Sequence, residues 1–311
     1  MKRYVERIRP GRKIDANSAV LLPFKADGKP DYADFEKHLV ATSKAGIVPA
    51  VNMDTGFGPQ LTPAERVDVL KLTRKALGTS PFIAGACAFG EDVDLLRGYK
   101  KAVAAILDVG AIPIVFQSEL FAEGDVVALT KKIVAPAPKA LAFELGTMFA
   151  PFGRIYSLDD YRRLMDIPNL AGAKHSSLSR DLELARLELR DRHRPDWKVY
   201  TGNDLAIDMV MYGSDYLLGI STFDPEAFAL RDRWWAEGDA RFLELNDALQ
   251  ALGAVAFRDP VPAYKDSAAA YLKLTGRMRD PLVHPKCPRR PAWEIDLLRP
   301  LAAQIEKAKK A

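Results

Sequence analysis

The chain has 311 residues, of which 48% are hydrophobic and 28% charged, and its formal net charge at pH 7 is +4. These values are typical of a globular protein, and the small charge without a long basic block argues against nucleic-acid binding. No apolar run is long enough to span a bilayer, and the basic N-terminus lacks the apolar stretch of a signal peptide. Cys87 and Cys287 have no metal or redox spacing, which indicates free thiols in a cytoplasmic protein.

Short apolar segments alternate with helical patterns between residue 18 and about residue 240. Because these segments are apolar almost throughout, they are typical of parallel strands that are buried on both faces. The eight predicted strands are Ala19–Phe24, Val48–Asn52, Phe82–Ala86, Ile112–Phe116, Ala140–Glu144, Leu170–Lys174, Lys198–Thr201 and Tyr216–Ile220.

Helices are predicted between the strands. N-terminal capping residues are predicted at Thr62, Ser157 and Asp224, and a proline follows the first and the last of them. Eight strand–helix units favour a (β/α)₈ TIM barrel over an open doubly wound sheet. The absence of a Gly-rich dinucleotide or Walker motif after the first strand weakens the open-sheet alternative further.

Three more helices are predicted after residue 240, where the strand pattern ends: Leu243–Val255, Pro262–Leu274 and Trp293–Ile305. A Pro- and Arg-rich connection separates the last two helices. We therefore predict an α/β fold with a (β/α)₈ barrel over residues 15–240. Residues 241–311 are predicted to form a C-terminal helical extension packed on the barrel.

Lys174 is the most informative residue of the chain. It ends the apolar run 170–173 of the sixth strand, and polar residues follow it directly. Active sites of TIM barrels lie at the C-terminal ends of the strands. A lysine there that is shielded from water loses part of its preference for the charged form, and a neutral amine can form a Schiff base with a carbonyl. The alternative is a surface lysine at a strand end.

The other strand ends supply further candidates. Those for proton transfer or substrate binding are Asp54, Thr55, Gly56, Glu119, Phe143, Glu144, His175, Asn203 and Ile220. Most of the polar ones also have a structural interpretation. Asp54 suits a turn, Glu119 and Glu144 suit a solvated rim, and His175 suits a hydrogen bond to a neighbouring loop. Asn203 and Asp204 suit the cap of the next helix, the interpretation we favour for Asp204.

Metal chemistry has weak support in the sequence. The histidines show no ligand spacing, which argues against a zinc site: His38, His175, His193 and His284. Magnesium held by Asp54, Glu119 and Glu144 is a weaker alternative to lysine chemistry.

Several segments, in the same order, resemble the dihydrodipicolinate synthase / N-acetylneuraminate lyase family of class I aldolases. They are Pro23-Phe24, the Asp-Thr-Gly-Phe-Gly-Pro-Gln segment with the helix start after it (54–66), Ala-Gly-Ala-Lys-His-Ser-Ser (171–177), Thr-Gly-Asn-Asp (201–204), residues 213–221, and Asp-Pro-Val-Pro-Ala-Tyr-Lys (259–265). The resemblance spans residues 18 to 276. It implies a TIM barrel with a C-terminal helical extension, a homotetramer built from dimers, no cofactor and no metal.

The resemblance also implies roles for individual residues. Lys174 is expected to form an imine with a 2-oxo acid, Thr55 to bind a carboxylate, and the backbone near Ile220 to form part of the pocket wall. The chain departs from the family where Asp54 replaces the first of two adjacent threonines. It departs again where Phe143, or alternatively a residue from Glu144 to Gly146, stands in place of the tyrosine that relays the proton, because none of these has a phenol. The aromatic residue expected after the fourth strand is replaced by Gln-Ser-Glu (117–119), and Arg154 is out of register with the family's arginine.

The sequence therefore predicts a Schiff-base lyase, either an aldolase or a dehydratase/hydratase, that acts on a small carbonyl compound. Asp54, Glu119 or Glu144 is expected to replace the missing phenol. An ionised Asp54 about 4 Å from a substrate carboxylate would cost on the order of 4 kcal/mol, so pyruvate is expected to bind poorly. Authentic dihydrodipicolinate synthase activity is not expected, because the proton relay of the family is absent. The alternative is a non-catalytic small-molecule-binding barrel that has lost the relay. The expected partners are a small molecule and further copies of the chain, as a homotetramer or homodimer.

Overall fold

The eight strands close into one parallel barrel in chain order. A computed structural model describes residues 2–89 and 94–310, and in it each strand pairs with its sequence neighbours while β1 pairs with β8. The strands are β1 (Ala16–Ala19), β2 (Val48–Val51), β3 (Ile83–Ala86), β4 (Ile112–Val115), β5 (Ala140–Leu145), β6 (Leu170–Ser176), β7 (Lys198–Thr201) and β8 (Asp215–Leu218). The prediction of a (β/α)₈ barrel is confirmed.

Helices surround the barrel and continue after it. They are α1 (Lys2–Val5), α2 (Tyr32–Lys44), α3 (Pro63–Leu77), α4 (Leu95–Asp108), α5 (Leu120–Glu123), α6 (Val126–Val134), α7 (Leu158–Met165), α8 (Arg180–His193), α9 (Pro225–Glu237), α10 (Arg241–Ala256), α11 (Tyr264–Leu274) and α12 (Glu294–Ala308). Short 3₁₀ helices lie at Ile207–Tyr212, Ile220–Thr222 and Val261–Ala263. In the described part of the chain, no helix combines the length and the apolar character needed to cross a bilayer.

The predicted caps are present. The Thr62 hydroxyl accepts from the Glu65 N–H at 3.2 Å while the Glu65 carboxylate accepts from the Thr62 N–H at 2.8 Å, which is a reciprocal capping box. Asp224 accepts from the N–H of Ala227, and Ser157 caps α7 in the same way. These local signals fix where three of the outer helices begin.

The first strand was predicted too late in the chain. It covers Ala16–Ala19, and not Ala19–Phe24. The segment from Val20 to Phe24 is buried although it is not part of the strand. Its last residue contacts the C-terminal part of the chain, where the Phe24 N–H donates to the Leu282 carbonyl at 2.9 Å. Burial of an apolar run therefore does not by itself make a strand.

Two apolar layers fill the fold. One lies inside the barrel and includes Ile83, Ile114, Leu141 and Leu217, while the other lies between the strands and the helices. The three predicted C-terminal helices are present as α10, α11 and α12, and their buried side chains join the second layer. The predicted division at residue 240 falls in the turn between α9 and α10. The extension thus shares the core of the barrel.

Candidate active site

A narrow pocket lies at the C-terminal ends of the strands. It has a volume of about 20 Å³, which is room for about one water molecule. Its walls are formed by Asp54, Thr55, Phe143, Leu145, Phe149, Lys174, Ser176, Gly202, Asp204, Gly219 and Tyr264. Of the ten residues proposed from the sequence, the structure brings four together here: Lys174, Asp54, Thr55 and Phe143.

Lys174 extends into this pocket from β6. Its side chain is 8% exposed, and its Nζ lies 4.6 Å from the centre of the Phe143 ring. Burial lowers the pKa of Lys174 to about 8, although the carboxylates of Asp204 and Asp54 act in the opposite direction. At pH 7 about a tenth of these amines are therefore neutral and nucleophilic.

Gly202 leaves the space that the lysine needs. A Cβ atom at position 202 would lie 2.6 Å from Cε of Lys174 and 2.2 Å from Oγ of Ser176. Any larger residue would displace the lysine from its present position, so the glycine after β7 is a requirement of the pocket.

Asp54 is held by two side chains from the C-terminal extension. Nζ of Lys265 lies 3.0 Å from both carboxylate oxygens of Asp54, and the Tyr264 hydroxyl donates to Oδ2 at 2.9 Å. Because the Tyr264 proton is used in this bond, the Thr55 hydroxyl, 2.8 Å away, donates to the Tyr264 oxygen. A hydrogen-bonded chain therefore runs from Thr55 through Tyr264 to Asp54.

This pairing corrects the argument that Asp54 would repel a substrate carboxylate. That argument assumed an unpaired charge, whereas the buried ammonium of Lys265 offsets the charge of Asp54 at hydrogen-bonding distance. The cost of about 4 kcal/mol for two like charges therefore does not apply to this site. The electrostatic reason to expect poor pyruvate binding is removed.

Asp204 is a second carboxylate in the pocket, and its expected role was wrong. It does not cap a helix, because Ala206 holds the cap position of the 3₁₀ helix that starts at Ile207. Its Oδ1 instead accepts from the Ile220 N–H at 2.7 Å. Burial raises the pKa of Asp204 to about 6, against the lowering effects of that N–H and of the Lys174 charge. Asp204 can therefore exchange a proton near neutral pH.

Glu144 and His175 do not line the pocket, contrary to the sequence-based expectation. Successive side chains of a strand point to opposite faces, so Phe143 and Lys174 face the barrel interior while Glu144 and His175 face the helices. Both are fully buried, and His175 Nδ1 lies 2.5 Å from Glu144 Oε1. Arg186 of α8 binds both oxygens of Glu144 at 2.9 Å.

Four more candidates also lie outside the pocket walls. Glu119 is exposed at the start of α5, because the chain turns away after β4. Asn203 uses its Oδ1 to accept from the Leu205 N–H. Gly56 is buried against the Val20 carbonyl, and the Ile220 N–H is occupied by Asp204, which leaves Gly219 as the backbone wall.

Arg154 is likewise distant from the amine. Its backbone N–H donates to the Gln117 side chain, and its guanidinium donates to the Gly124 carbonyl. It therefore fixes the loop after β5 to the loop after β4 and does not supply a cation to the pocket.

Tyr264, Lys265, Ser176 and Phe149 were not proposed from the sequence. The Tyr-Lys pair stood in a segment that resembled the family's C-terminal helix start, but nothing in the sequence placed it beside Asp54, some 210 positions earlier. For Ser176, strand alternation was a usable signal, because residue 176 shares the face of Lys174. Among the residues that the structure describes, no group of three or more His, Cys, Asp and Glu side chains is arranged to hold a metal ion.

No family model matches the sequence, but curated sequences and solved structures do. The chain is 26% identical over 253 residues to 4-hydroxy-tetrahydrodipicolinate synthase of Synechococcus sp. (strain CC9605), an alignment that covers 79% of this chain and 82% of that protein. Dihydrodipicolinate synthase of Thermotoga maritima has a TM-score of 0.80 at 20% identity, over 94% of this chain and 99% of that one.

YagE of E. coli K12, a prophage protein of the dihydrodipicolinic acid synthase family solved in complex with pyruvate, has a TM-score of 0.82 at 16% identity. The match covers 94% of this chain and 98% of YagE. These similarities show the fold that the chain shares with those proteins, and with the 26% identity to the synthase they are consistent with a divergent member of the dihydrodipicolinate synthase / N-acetylneuraminate lyase family.

Proposed function

We propose that the protein is a lyase that forms a Schiff base between Lys174 and a small 2-oxo acid. The observation that carries this proposal is the lysine itself, which is buried at the C-terminal end of β6 with its pKa lowered to about 8. Attack of the neutral amine on the 2-oxo carbon, followed by loss of water, gives the imine. The imine then withdraws electrons from the neighbouring carbon, where a carbon–carbon or carbon–oxygen bond forms or breaks.

Asp204 is the group best suited to move protons in this reaction. It shares the pocket with Lys174, and burial raises its pKa to about 6. A carboxylate with a pKa near the working pH can accept a proton in one step and return it in another. We assign to Asp204 the role for which the sequence suggested Asp54, Glu119 or Glu144.

Tyr264 supplies a phenol that β5 lacks. Phe143 occupies the end of β5 where the family's tyrosine is expected, but the Tyr264 hydroxyl reaches the same pocket from α11. Burial and the Asp54 charge raise the pKa of Tyr264 well above its ordinary value, so the phenol stays protonated and acts as a donor. In the unliganded pocket this proton is donated to Asp54, so the phenol must turn from Asp54 to a bound intermediate to act on it.

Pairing of Asp54 with Lys265 makes a 2-oxo acid carboxylate electrostatically acceptable. Since YagE was solved with pyruvate, and this pocket has a volume of about 20 Å³, the first substrates to test are pyruvate and other short 2-oxo acids. Because the pocket has room for about one water molecule, wall side chains such as Phe149 and Leu145 have to move for any 2-oxo acid, pyruvate included.

Borohydride trapping tests the proposal. Each of a panel of 2-oxo acids is incubated with the protein, the imine is reduced, and the adduct is located by intact and peptide mass. We expect an adduct on Lys174 that is lost in Lys174→Met and retained in the matched control Lys198→Met. Lys198 begins the neighbouring strand at the opposite end of the barrel, and its side chain is 41% exposed. An adduct of undiminished yield in Lys174→Met contradicts the proposal. The absence of an adduct with every 2-oxo acid also contradicts it and favours a non-catalytic binding protein.

We propose further that the protein is a homo-oligomer, a dimer or a tetramer. The family resemblance supports this, as do large apolar side chains that the C-terminal helices leave exposed, including Leu243 at 52% and Trp293 at 56%. Light scattering at micromolar concentration should give a multiple of 34.4 kDa. A mass equal to one chain contradicts this proposal.

A further inference from the structure

A second group of catalytic side chains lies on the outer face of β6, separate from Lys174. Ser177 Oγ lies 2.6 Å from His175 Nε2, and His175 Nδ1 lies 2.5 Å from Glu144 Oε1. A hydroxyl, an imidazole and a carboxylate in this order are the components of a serine-hydrolase triad. The mechanism proposed for Lys174 uses none of them.

The hydrogen-bond partners determine where the protons lie. Glu144 accepts from both arms of Arg186 and from the Tyr156 N–H at 2.9 Å, so it is held as a carboxylate. Burial acts to raise the pKa of Glu144, but the charges and hydrogen bonds of His175 and Arg186 outweigh it and lower that pKa. A carboxylate can only accept, so Nδ1 of His175 carries a proton in either charge state, and in the neutral imidazole Nε2 is the nitrogen that can act as a base.

The Ser177 hydroxyl is oriented toward that base. Its oxygen accepts the Ser179 N–H at 3.1 Å, which leaves its single proton directed at His175 Nε2. Ser179 caps the 14-residue helix α8, so Ser177 lies beside the positive end of the helix dipole, which stabilises negative charge on an oxygen.

Of the three triad side chains, Ser177 alone reaches the surface. His175 and Glu144 have no exposed area, whereas Ser177 is partly exposed at the end of β6. A substrate can therefore meet the hydroxyl while the base and the carboxylate remain shielded from water. Because the hydroxyl lies at the surface and outside the walls of the Lys174 pocket, it is open to a small ester.

We infer that Ser177, His175 and Glu144 form a second active site that hydrolyses small esters. Ser177 Oγ attacks the carbonyl carbon and His175 Nε2 takes the hydroxyl proton. The tetrahedral intermediate then collapses, and the alcohol leaves with that proton. Water, activated by the same imidazole, cleaves the acyl-serine, which releases the acid and restores the hydroxyl. Glu144 is a positioning residue that fixes the imidazole tautomer, and Arg186 holds Glu144 in place.

Labelling with a fluorophosphonate probe tests this site. The serine oxygen displaces fluoride from phosphorus, and the covalent adduct is located by peptide mass. We expect an adduct on Ser177 that is lost in Ser177→Ala and forms at least ten times more slowly in His175→Gln. Ser80→Ala is the matched control, because Ser80 is also partly exposed but precedes β3, outside both sites, and its loss should leave labelling unchanged.

Hydrolysis of p-nitrophenyl acetate gives a second readout. It should fall at least tenfold in Ser177→Ala and persist in Lys174→Met, while borohydride trapping at Lys174 should persist in Ser177→Ala. The inference is overturned if the probe does not label the parent protein under conditions that label a reference serine hydrolase, or if the label lies on another residue. If Ser177→Ala does not fold, the site of labelling in the parent protein decides the question.

Discussion

Replacing the proposed nucleophile should make the fold more stable. The pKa of Lys174 falls from 10.5 to about 8 in the folded protein, because burial disfavours the ammonium form. At about 1.36 kcal/mol per pKa unit, this shift corresponds to a penalty on the order of 3 kcal/mol at pH 7. Lys174→Met keeps a side chain of similar length without the charge, so it should raise the free energy of unfolding by up to this amount.

The pH dependence of the stability gain distinguishes removal of the buried charge from better packing of the methionine. Below pH 8 the amine is protonated in both the folded and the unfolded protein, and the whole penalty is present. Between pH 8 and 10.5 the folded amine is neutral while the unfolded one still binds a proton, so the parent protein gains stability as the pH rises. The advantage of Lys174→Met should therefore shrink to about 1.4 kcal/mol near pH 9.5.

Urea denaturation at pH 7 and near pH 9.5, at one protein concentration, measures both quantities. Lys198→Met is the control. This substitution removes a half-exposed charge, while Asp215 stays paired with Arg12 at 2.7 Å. The free energy of unfolding should therefore change by no more than about 0.5 kcal/mol. The reasoning is refuted if Lys174→Met is no more stable than the parent protein at pH 7, or if its advantage grows with pH.

Three further experiments test the contacts of the two sites. Lys265→Met leaves the charge of Asp54 uncompensated, so pyruvate binding measured by trapping should weaken about tenfold or more. Binding should recover in the double variant that also carries Asp54→Asn. Equal binding in the parent protein, the single variant and the double variant would disprove the pairing. Asp204→Asn should reduce the slope of log kcat/KM below about pH 6 from about two to about one, because the limb below about pH 8 that belongs to Lys174 remains, and an unchanged slope would assign the second proton to another group. Arg186→Met removes the positive charge that binds the buried Glu144 and should lower the free energy of unfolding, measured by urea denaturation, by about 3–5 kcal/mol. A loss under about 1 kcal/mol would contradict the role of Arg186 in holding Glu144 in place.

Local patterns were sufficient to predict the barrel and the position of Lys174. Eight apolar segments separated by capped helices leave few other folds, since parallel strands buried on both faces must be covered by helices. The same alternation put Lys174 at a strand end, where barrel active sites lie. Strand periodicity also carried a signal that was not used, because residues 174 and 175 must point to opposite faces. It would have removed His175 from the pocket.

The partners of each charge depended on the tertiary structure. Asp54 meets Tyr264 and Lys265 across some 210 positions of sequence, and no local pattern encodes a contact between the second strand's loop and a C-terminal helix. The sequence alone determined which chemical groups lie at the strand ends. Only the fold decided that the charge of Asp54 is offset and that Asp204 is desolvated, because burial and the distance between charges are set by packing.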